Sequence, residues 1–186
     1  LLEWHKDKLS PLEARVMQSE KRNYFQEYSK ADVSLPTSLL VLPHFSGSGT
    51  PFLDNKSKGV IIGLTQETTK EEIFFALMEG ATYEINLNIC LLKKFGFSIS
   101  SLSATGGGSK SLSWLQIKSN VFNRDIKVLS SSEGGIFGCF IMMLHRANQN
   151  ESYEALASRY VTTNFVIMPN AALSNLYKYK FVLYKR

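Results

Sequence analysis

A single long helical pattern, at residues 69–95, limits the folds that this chain can adopt. Apolar residues recur every three or four positions and form one stripe: Ile73, Leu77, Ala81, Ile85, Ile89 and Leu92. Thr69 and Glu72 have the spacing of a capping box, and Gly96 suits the end of the helix. A helix with such a stripe has to bury it against another layer of secondary structure.

Short apolar runs lie on both sides of this helix and have the composition of strands. We predict strands at residues 39–42, 60–64, 99–104, 126–129 and 165–168. Further helices are predicted at residues 109–122, 136–147, 153–160 and 171–184, and the run at 136–147 is so apolar that we expect it to be largely buried. This alternation predicts an α/β fold in which helices cover the faces of a sheet.

The composition is that of a folded protein and excludes several classes. Of the 186 residues 44% are hydrophobic and 20% charged, and no apolar run approaches the length of a membrane span. The net charge of +5 is scattered, without a basic stripe between aromatic residues, so nucleic acid and membrane partners are not expected. The charge fits either ordinary surface solubility or a small anionic ligand.

The cysteines and histidines predict neither a disulfide nor a metal site. Cys90 and Cys139 lie in apolar helical runs without CxxC spacing, so we expect buried free thiols and a cytoplasmic location. No histidine has a partner at metal-ligand spacing. The chain begins at Leu1 rather than at Met, and we expect it to have been cut from a longer polypeptide.

The stretch ATGGGSKS at residues 104–111 follows a predicted strand and precedes a predicted helix. It is not a Walker A loop, because Lys110 follows Ser109 and the first required glycine is absent. It is not a dinucleotide fingerprint either, since Ser111 stands where the third glycine should be. Two interpretations remain: a glycine loop that lets a nucleotide approach the backbone, and a tight turn without a ligand. The glycines alone favour the turn.

The neighbouring segments change this balance, because they resemble the FGGY carbohydrate kinases in the family's own order. SATGGGSKSLSWLQIKSNVF, residues 103–122, is similar to the family's nucleotide-binding element. The segments LLEWHKD, LLVLPHFSGSGTPFLDNKSKGVIIGLT and IKVLSSSEGGIFG, together with residues 72–84, also resemble family segments, so the resemblance covers residues 1–148. The family includes xylulokinase, gluconokinase and glycerol kinase.

The resemblance implies a specific architecture. Members of the family have two domains of the actin-like, RNase-H-like ATPase fold, each with a mixed sheet and helices on both faces, around a deep cleft. This chain resembles the C-terminal domain. We therefore expect residues 1–186 to form a single nucleotide-binding domain, with the N-terminal domain, which carries the catalytic base and most of the sugar contacts, outside this chain.

The resemblance also implies the chemistry, which is transfer of the ATP γ-phosphate to a sugar hydroxyl with Mg²⁺. Gly107 and Ser111 match positions that contact the nucleotide, and Gly106 and Gly108 match positions that shape the loop. A β-branched residue at Gly107 is expected to block both the turn and the ligand. The general base and the Mg²⁺ ligand of the family lie in the N-terminal domain, so no catalytic or metal-binding residue is assigned here and the isolated chain is expected to be inactive.

The expected partners are ATP or ADP and, mostly through the other domain, a sugar. The form PHFSGSGTP at residues 43–51 favours a pentulose such as xylulose, and a homo-oligomer is left open. Two alternatives remain: a non-catalytic nucleotide-binding or regulatory module of the same fold, and a structural interaction domain. Glu3, His44, Lys110 and Trp114 each have a functional reading, but a surface, structural or core role is favoured for them.

Overall fold

The computed structural model describes residues 1–131, 133–147 and 149–186. The helices are α1 (Leu2–Trp4), α2 (Pro11–Ser19), α3 (Tyr24–Tyr28), α4 (Lys70–Lys94), α5 (Leu112–Phe122), α6 (Gly134–Ala147), α7 (Tyr153–Tyr160) and α8 (Ala171–Tyr184). The strands are β1 (Leu40–Leu42), β2 (Val60–Ile62), β3 (Leu102–Ala104), β4 (Ile126–Leu129) and β5 (Thr163–Ile167). A π-helical turn, His5–Leu9, follows α1, and a 3₁₀ turn, Gly107–Lys110, precedes α5.

The strands form two sheets within the described part of the chain. β1 and β2 pair antiparallel, with Val41 opposite Ile61. The second sheet has the order β3-β4-β5, in which β3 and β4 are parallel and β4 and β5 antiparallel. The predicted α/β class with a mixed sheet is therefore confirmed.

Most predicted helices and strands are present, but some of them begin or end at other residues than predicted. β4, α7 and α8 have the predicted bounds. The helix predicted at residues 109–122 is divided, because Ser111 has an extended backbone between the 3₁₀ turn and α5. The strands predicted at 60–64 and 99–104 are shorter, since only three residues of each find a partner strand.

α4 is the central element of the core. In its N-terminal half nearly every residue is buried: Phe74, Phe75, Ala76, Leu77, Met78, Glu79, Gly80, Thr82 and Tyr83. The predicted single stripe was therefore wrong, and Ile85 and Leu92 are 43% and 45% exposed. Residues 74–83 of the helix pack against β1, α1, α5 and aromatic side chains of the N-terminal segment, whereas the C-terminal half is more exposed.

The N-terminal cap of α4 is only half of a capping box. The Thr69 hydroxyl accepts the Glu72 N–H at 3.1 Å, as the spacing predicts. The Glu72 carboxylate instead accepts the backbone N–H of Ser38 at 3.1 Å and its hydroxyl at 2.7 Å. This contact attaches the segment before β1 to the start of the helix.

The first 28 residues pack on α4 through an aromatic cluster that contains a histidine. His5 is fully buried against Tyr28 and Phe74. Its Nε2 lies 2.8 Å from the carbonyl oxygen of Lys70, which can only accept, so Nε2 carries the proton and Nδ1 accepts from the Tyr24 hydroxyl at 2.8 Å. Burial lowers the pKa of His5, because the charged imidazolium would lose its hydration.

α6 contradicts the prediction of a largely buried helix. Of its described side chains only Ile141 is buried, and Ile136, Met142 and Met143 are 67%, 55% and 65% exposed. Cys90 and Cys139 are likewise exposed, not buried, although both thiols are free. The apolar residues of α6 favour burial, but burial requires a partner surface. α6 packs mainly on the short helix α7, which is too small to cover the apolar face of α6.

The C-terminal helix belongs to the same core. α8 packs on α5, and Tyr177 and Phe181 are buried beside Tyr83. Lys180 of α8 forms a buried ion pair with Glu79 of α4, with 2.7 Å between Nζ and Oε2. None of the helices in the described ranges is long and apolar enough to cross a membrane.

Candidate nucleotide site

The glycine loop starts where the two parallel strands end. β3 ends at Ala104, and the hydroxyl of the next residue, Thr105, donates to the carbonyl of Ser131 just after β4, at 3.1 Å. Gly134 permits this contact, because a Cβ there would lie 2.9 Å from the Thr105 side chain. The loop therefore occupies the carboxyl edge of the parallel strand pair, where α/β sheets bind their ligands.

The three glycines of this loop do different things. Gly106 has φ +81°, a conformation that favours glycine, and its carbonyl accepts the Ser109 N–H at 3.1 Å. Gly107 has an ordinary φ, and a Cβ there would have no atom within 4 Å. A Cβ at Gly107 therefore does not by itself disturb the turn. The open space at Gly107 is available to a ligand.

Ser111 caps α5 and also connects it to α3. The Ser111 hydroxyl accepts the Trp114 N–H at 3.2 Å and lies 3.2 Å from the hydroxyl of Ser29. The neighbouring Ser113 hydroxyl donates to the Ser29 carbonyl at 2.7 Å. The residue after α3 is thus held against the first turn of α5.

On one side of this serine pair lies a cavity of about 450 Å³, which we call the apolar pocket. Its apolar wall includes Phe25, Phe74, Leu77, Met78, Ala81 and Trp114. Glu3, Ser29, Gly107, Gly108 and Ser111 also line it and bring the polar groups. A cavity with an apolar wall and few polar groups is suited to a heterocyclic ligand.

A second, more polar pocket of about 550 Å³ adjoins it, because both are lined by Phe25, Ser29, Gly107 and Ser111. Asn23, Gln26, Lys30, Lys110 and Ser113 also line it. Lys30 lies 2.7 Å from the Glu27 carboxylate. Lys110 has no carboxylate within 4.0 Å among residues 1–131, 133–147 and 149–186.

Trp114 forms a rigid part of the apolar wall. Its indole Nε1–H donates to the Thr82 hydroxyl at 3.0 Å, and that hydroxyl donates to the Met78 carbonyl at 2.7 Å. The Lys118 ammonium lies 4.2 Å from the ring centroid, close enough for a cation–π contact. Burial lowers the pKa of Lys118.

Of the four predicted site residues, the structure brings Gly107, Gly108 and Ser111 to the apolar pocket. Gly106 does not line it and acts on the loop conformation instead. Glu3 also lines the pocket, with its carboxylate ion-paired to Lys6. Phe25 and Ser29 line the pocket as well, although no motif in their polar N-terminal segment identifies them as site residues.

His44 lies apart from this site, in the connection between β1 and β2. It is 8% exposed, and its Nδ1 lies 2.7 Å from the Ser57 hydroxyl. Its Nε2 lies 3.3 Å from Glu84 of α4. These contacts attach the connection to α4, and none of the three residues lines the apolar pocket.

Metal-ligand side chains are not clustered in the described ranges. No three His, Cys, Asp or Glu side chains in the described ranges lie close enough together to hold one. Mg²⁺ prefers oxygen ligands in octahedral geometry, usually carboxylates and phosphates. The described ranges therefore hold no all-protein metal cage, whereas a Mg²⁺ ion held by a single carboxylate and nucleotide phosphates would not require such a cluster.

Comparison with known proteins identifies a family. A sequence model described as "FGGY family of carbohydrate kinases, C-terminal domain" matches residues 1–147. Xylulose kinase from Staphylococcus epidermidis is 30% identical over 147 residues, which are 79% of this chain and 30% of that protein.

Solved structures agree with this match. A xyloylose kinase from Brucella ovis is 28% identical with a TM-score of 0.81, covering 99% of this chain and 36% of the other. A glycerol kinase from Plasmodium falciparum with ADP has a TM-score of 0.69 at 19% identity, over 91% of this chain and 35% of the other. The chain thus spans about a third of the length of these proteins.

Proposed function

Because this chain belongs to the FGGY family of carbohydrate kinases, we propose that it is the nucleotide-binding C-terminal domain of an ATP-dependent sugar kinase. The sugar we propose is a pentulose such as xylulose, because relatives along most of the chain are named xylulose kinase. The phosphoryl transfer belongs to the longer protein, of which this chain corresponds to about a third.

The observation that carries the proposal is the apolar pocket beside a glycine loop that is open at Gly107. A heterocyclic base can lie against the wall at Met78, Ala81 and Trp114, while the missing side chain lets the ligand reach the backbone. The P. falciparum glycerol kinase of the same fold was solved with ADP, which supports a nucleotide as the ligand.

Each residue then has a defined role in binding. Gly106 sets the turn, Gly107 and Gly108 give access to the backbone, and Ser111 positions the start of α5 against the ligand. Mg²⁺ neutralises the phosphate charge in phosphoryl transfer generally. We expect its ligands to be the nucleotide phosphates and residues of the N-terminal domain, as the family resemblance implies.

Titration of the 186-residue chain with ADP, followed by calorimetry, tests the binding. We expect saturable binding that Gly107→Val weakens at least roughly tenfold, about 1.4 kcal/mol, because the new side chain occupies the space of the ligand. Gly49→Val is the matched control, since a Cβ at Gly49 also has no atom within 4 Å and its φ is not positive. Absence of ADP binding by folded chain, or equal loss in both variants, would contradict the site.

Activity is tested on the longer polypeptide that contains this chain. We expect ATP-dependent phosphorylation of xylulose by that protein, and none by the 186-residue chain alone. If the longer protein binds ADP but phosphorylates neither xylulose, gluconate nor glycerol, the non-catalytic module is the correct reading.

A further inference from the structure

The side-chain polar groups that line the apolar pocket discriminate poorly between adenine and guanine. Among the described residues that line it, Glu3 is the only one with a charged side chain, and none has a side-chain amide. One oxygen of the exposed Glu3 carboxylate, Oε2, is ion-paired with Lys6. The indole N–H of Trp114, the other strong donor nearby, is occupied by Thr82.

In addition to the backbone N–H groups of Gly107 and Gly108 on the loop, the pocket offers the side-chain hydroxyls of Ser29 and Ser111, which lie 3.2 Å apart. A hydroxyl can rotate and serve as donor or acceptor. Adenine presents a donor amino group beside an acceptor nitrogen, whereas guanine presents an acceptor oxygen beside a donor N–H. An amide or carboxylate of fixed orientation would fit only one of these patterns, but a pair of hydroxyls can fit either.

The wall and the volume do not discriminate between purines either. Leu77, Met78, Ala81 and Trp114 offer apolar surface to either ring system. A volume of about 450 Å³ leaves room for the additional 2-amino group of guanine. Sites reject a close analogue strongly only when a buried polar group of the protein is left without its partner.

We propose that this pocket accepts adenine and guanine nucleotides alike, so that ADP and GDP bind with affinities within about tenfold of each other. The inference rests on the proposed nucleotide function and extends it to the choice of phosphoryl donor. Ser111 is the position at which this relaxed specificity can be tested, because Asn introduces an amide there and is itself a good N-cap residue for α5.

Calorimetric titration of the 186-residue chain with ADP and, separately, with GDP measures this ratio. We then expect Ser111→Asn to change the ratio at least tenfold, because the amide presents a donor and an acceptor in fixed positions. Asn is also a strong N-cap residue, so α5 retains its cap. Ser158→Asn, on the exposed surface of α7, is the matched control and should leave the ratio unchanged.

The outcomes separate this inference from the function on which it rests. Tight ADP binding with GDP more than about a hundredfold weaker would overturn the relaxed specificity and leave the nucleotide site intact. Absence of binding by either nucleotide would overturn both. An unchanged ratio in folded Ser111→Asn would overturn the role of Ser111.

Discussion

Two polar regions of this molecule, the buried cluster around Glu79 and the glycine loop with its pockets, satisfy their hydrogen bonds in opposite ways. Both Glu79 carboxylate oxygens have two donors: Tyr177 and the Thr37 N–H at 2.9 Å for Oε1, and the Thr37 hydroxyl at 2.8 Å and Lys180 at 2.7 Å for Oε2. Lys180 also donates to the Thr37 carbonyl at 2.6 Å. The cluster is complete without a ligand.

The glycine loop leaves its groups available. The N–H groups of Gly107 and Gly108 have no acceptor among the residues that the structure describes. Lys110 pairs with none of the carboxylates in those same ranges, and the Ser111 hydroxyl is shared between a cap and Ser29. A saturated polar cluster stabilises a fold, and an unsaturated one beside a cavity can bind something else.

The largest expected effect comes from breaking the saturated cluster. Lys180→Met leaves the Glu79 carboxylate buried without its cation, and we expect a loss of about 3–5 kcal/mol of unfolding free energy. Urea denaturation measures it. Lys178→Met, on the exposed side of the same helix, should change stability by less than about 0.5 kcal/mol. If Glu79→Gln combined with Lys180→Met recovers nothing, the uncompensated charge is not the cause.

Gly80 sharpens the contrast between a packed glycine and an open one. A Cβ on Gly80 would lie 2.5 Å from the Val41 carbonyl oxygen, so Gly80→Ala forces α4 away from β1. We expect a cost of about 1–3 kcal/mol, again measured by urea denaturation. Gly138→Ala in α6 meets no atom within 4 Å and should stabilise the chain by up to about 1 kcal/mol. Equal changes in the two variants would refute the packing argument.

Within the loop itself, two adjacent glycines should respond differently. Gly106→Ala places a side chain at φ +81° and is expected to cost about 1–2 kcal/mol. Gly107→Ala has neither strain nor a close contact and should stay within about 0.5 kcal/mol of the parent. Thermal unfolding of both variants checks this. A larger loss at Gly107 would mean that its role is structural.

The smallest expected effect is a change in how the stability of the fold depends on pH. Because burial lowers the pKa of His5 from 6.5, the unfolded chain binds more protons than the folded chain as pH falls. The stability that the neutral, buried His5 contributes is fully present above pH 6.5. It is lost as the pH falls from 6.5 through the lower pKa of folded His5. Melting temperatures of parent and His5→Gln between pH 8 and 5 should show a weaker acid loss in the variant. An equal slope in parent and variant would contradict the role of His5.

The local patterns predicted much of this fold because they depend on near neighbours in sequence. β4, α7 and α8 begin and end where periodicity and turn residues place them. The serine at residue 111 was assigned to the interior of a helix, although it is its cap. An N-cap residue has an extended backbone and the next residue a helical one, and composition hardly reveals where this change occurs.

Burial was predicted less well, because it depends on which surfaces meet. α6 has the most apolar pattern of the predicted helices and is largely exposed, whereas Glu79 and Lys180 are charged and lie inside the core. Their burial is stable only because residues far apart in sequence, Thr37 and Tyr177 among them, bring the matching donors and acceptors.

The sequence by itself determined the α/β class, the order of the elements and the position of the glycine loop after a strand, since these follow from local periodicity and turn chemistry. Only the tertiary structure decided what surrounds that loop. Phe25 and Ser29 from the polar N-terminal segment reach the pocket because aromatic packing on α4 and the contact with Ser111 hold α3 there. Such contacts depend on three-dimensional complementarity between distant segments, which no local pattern encodes.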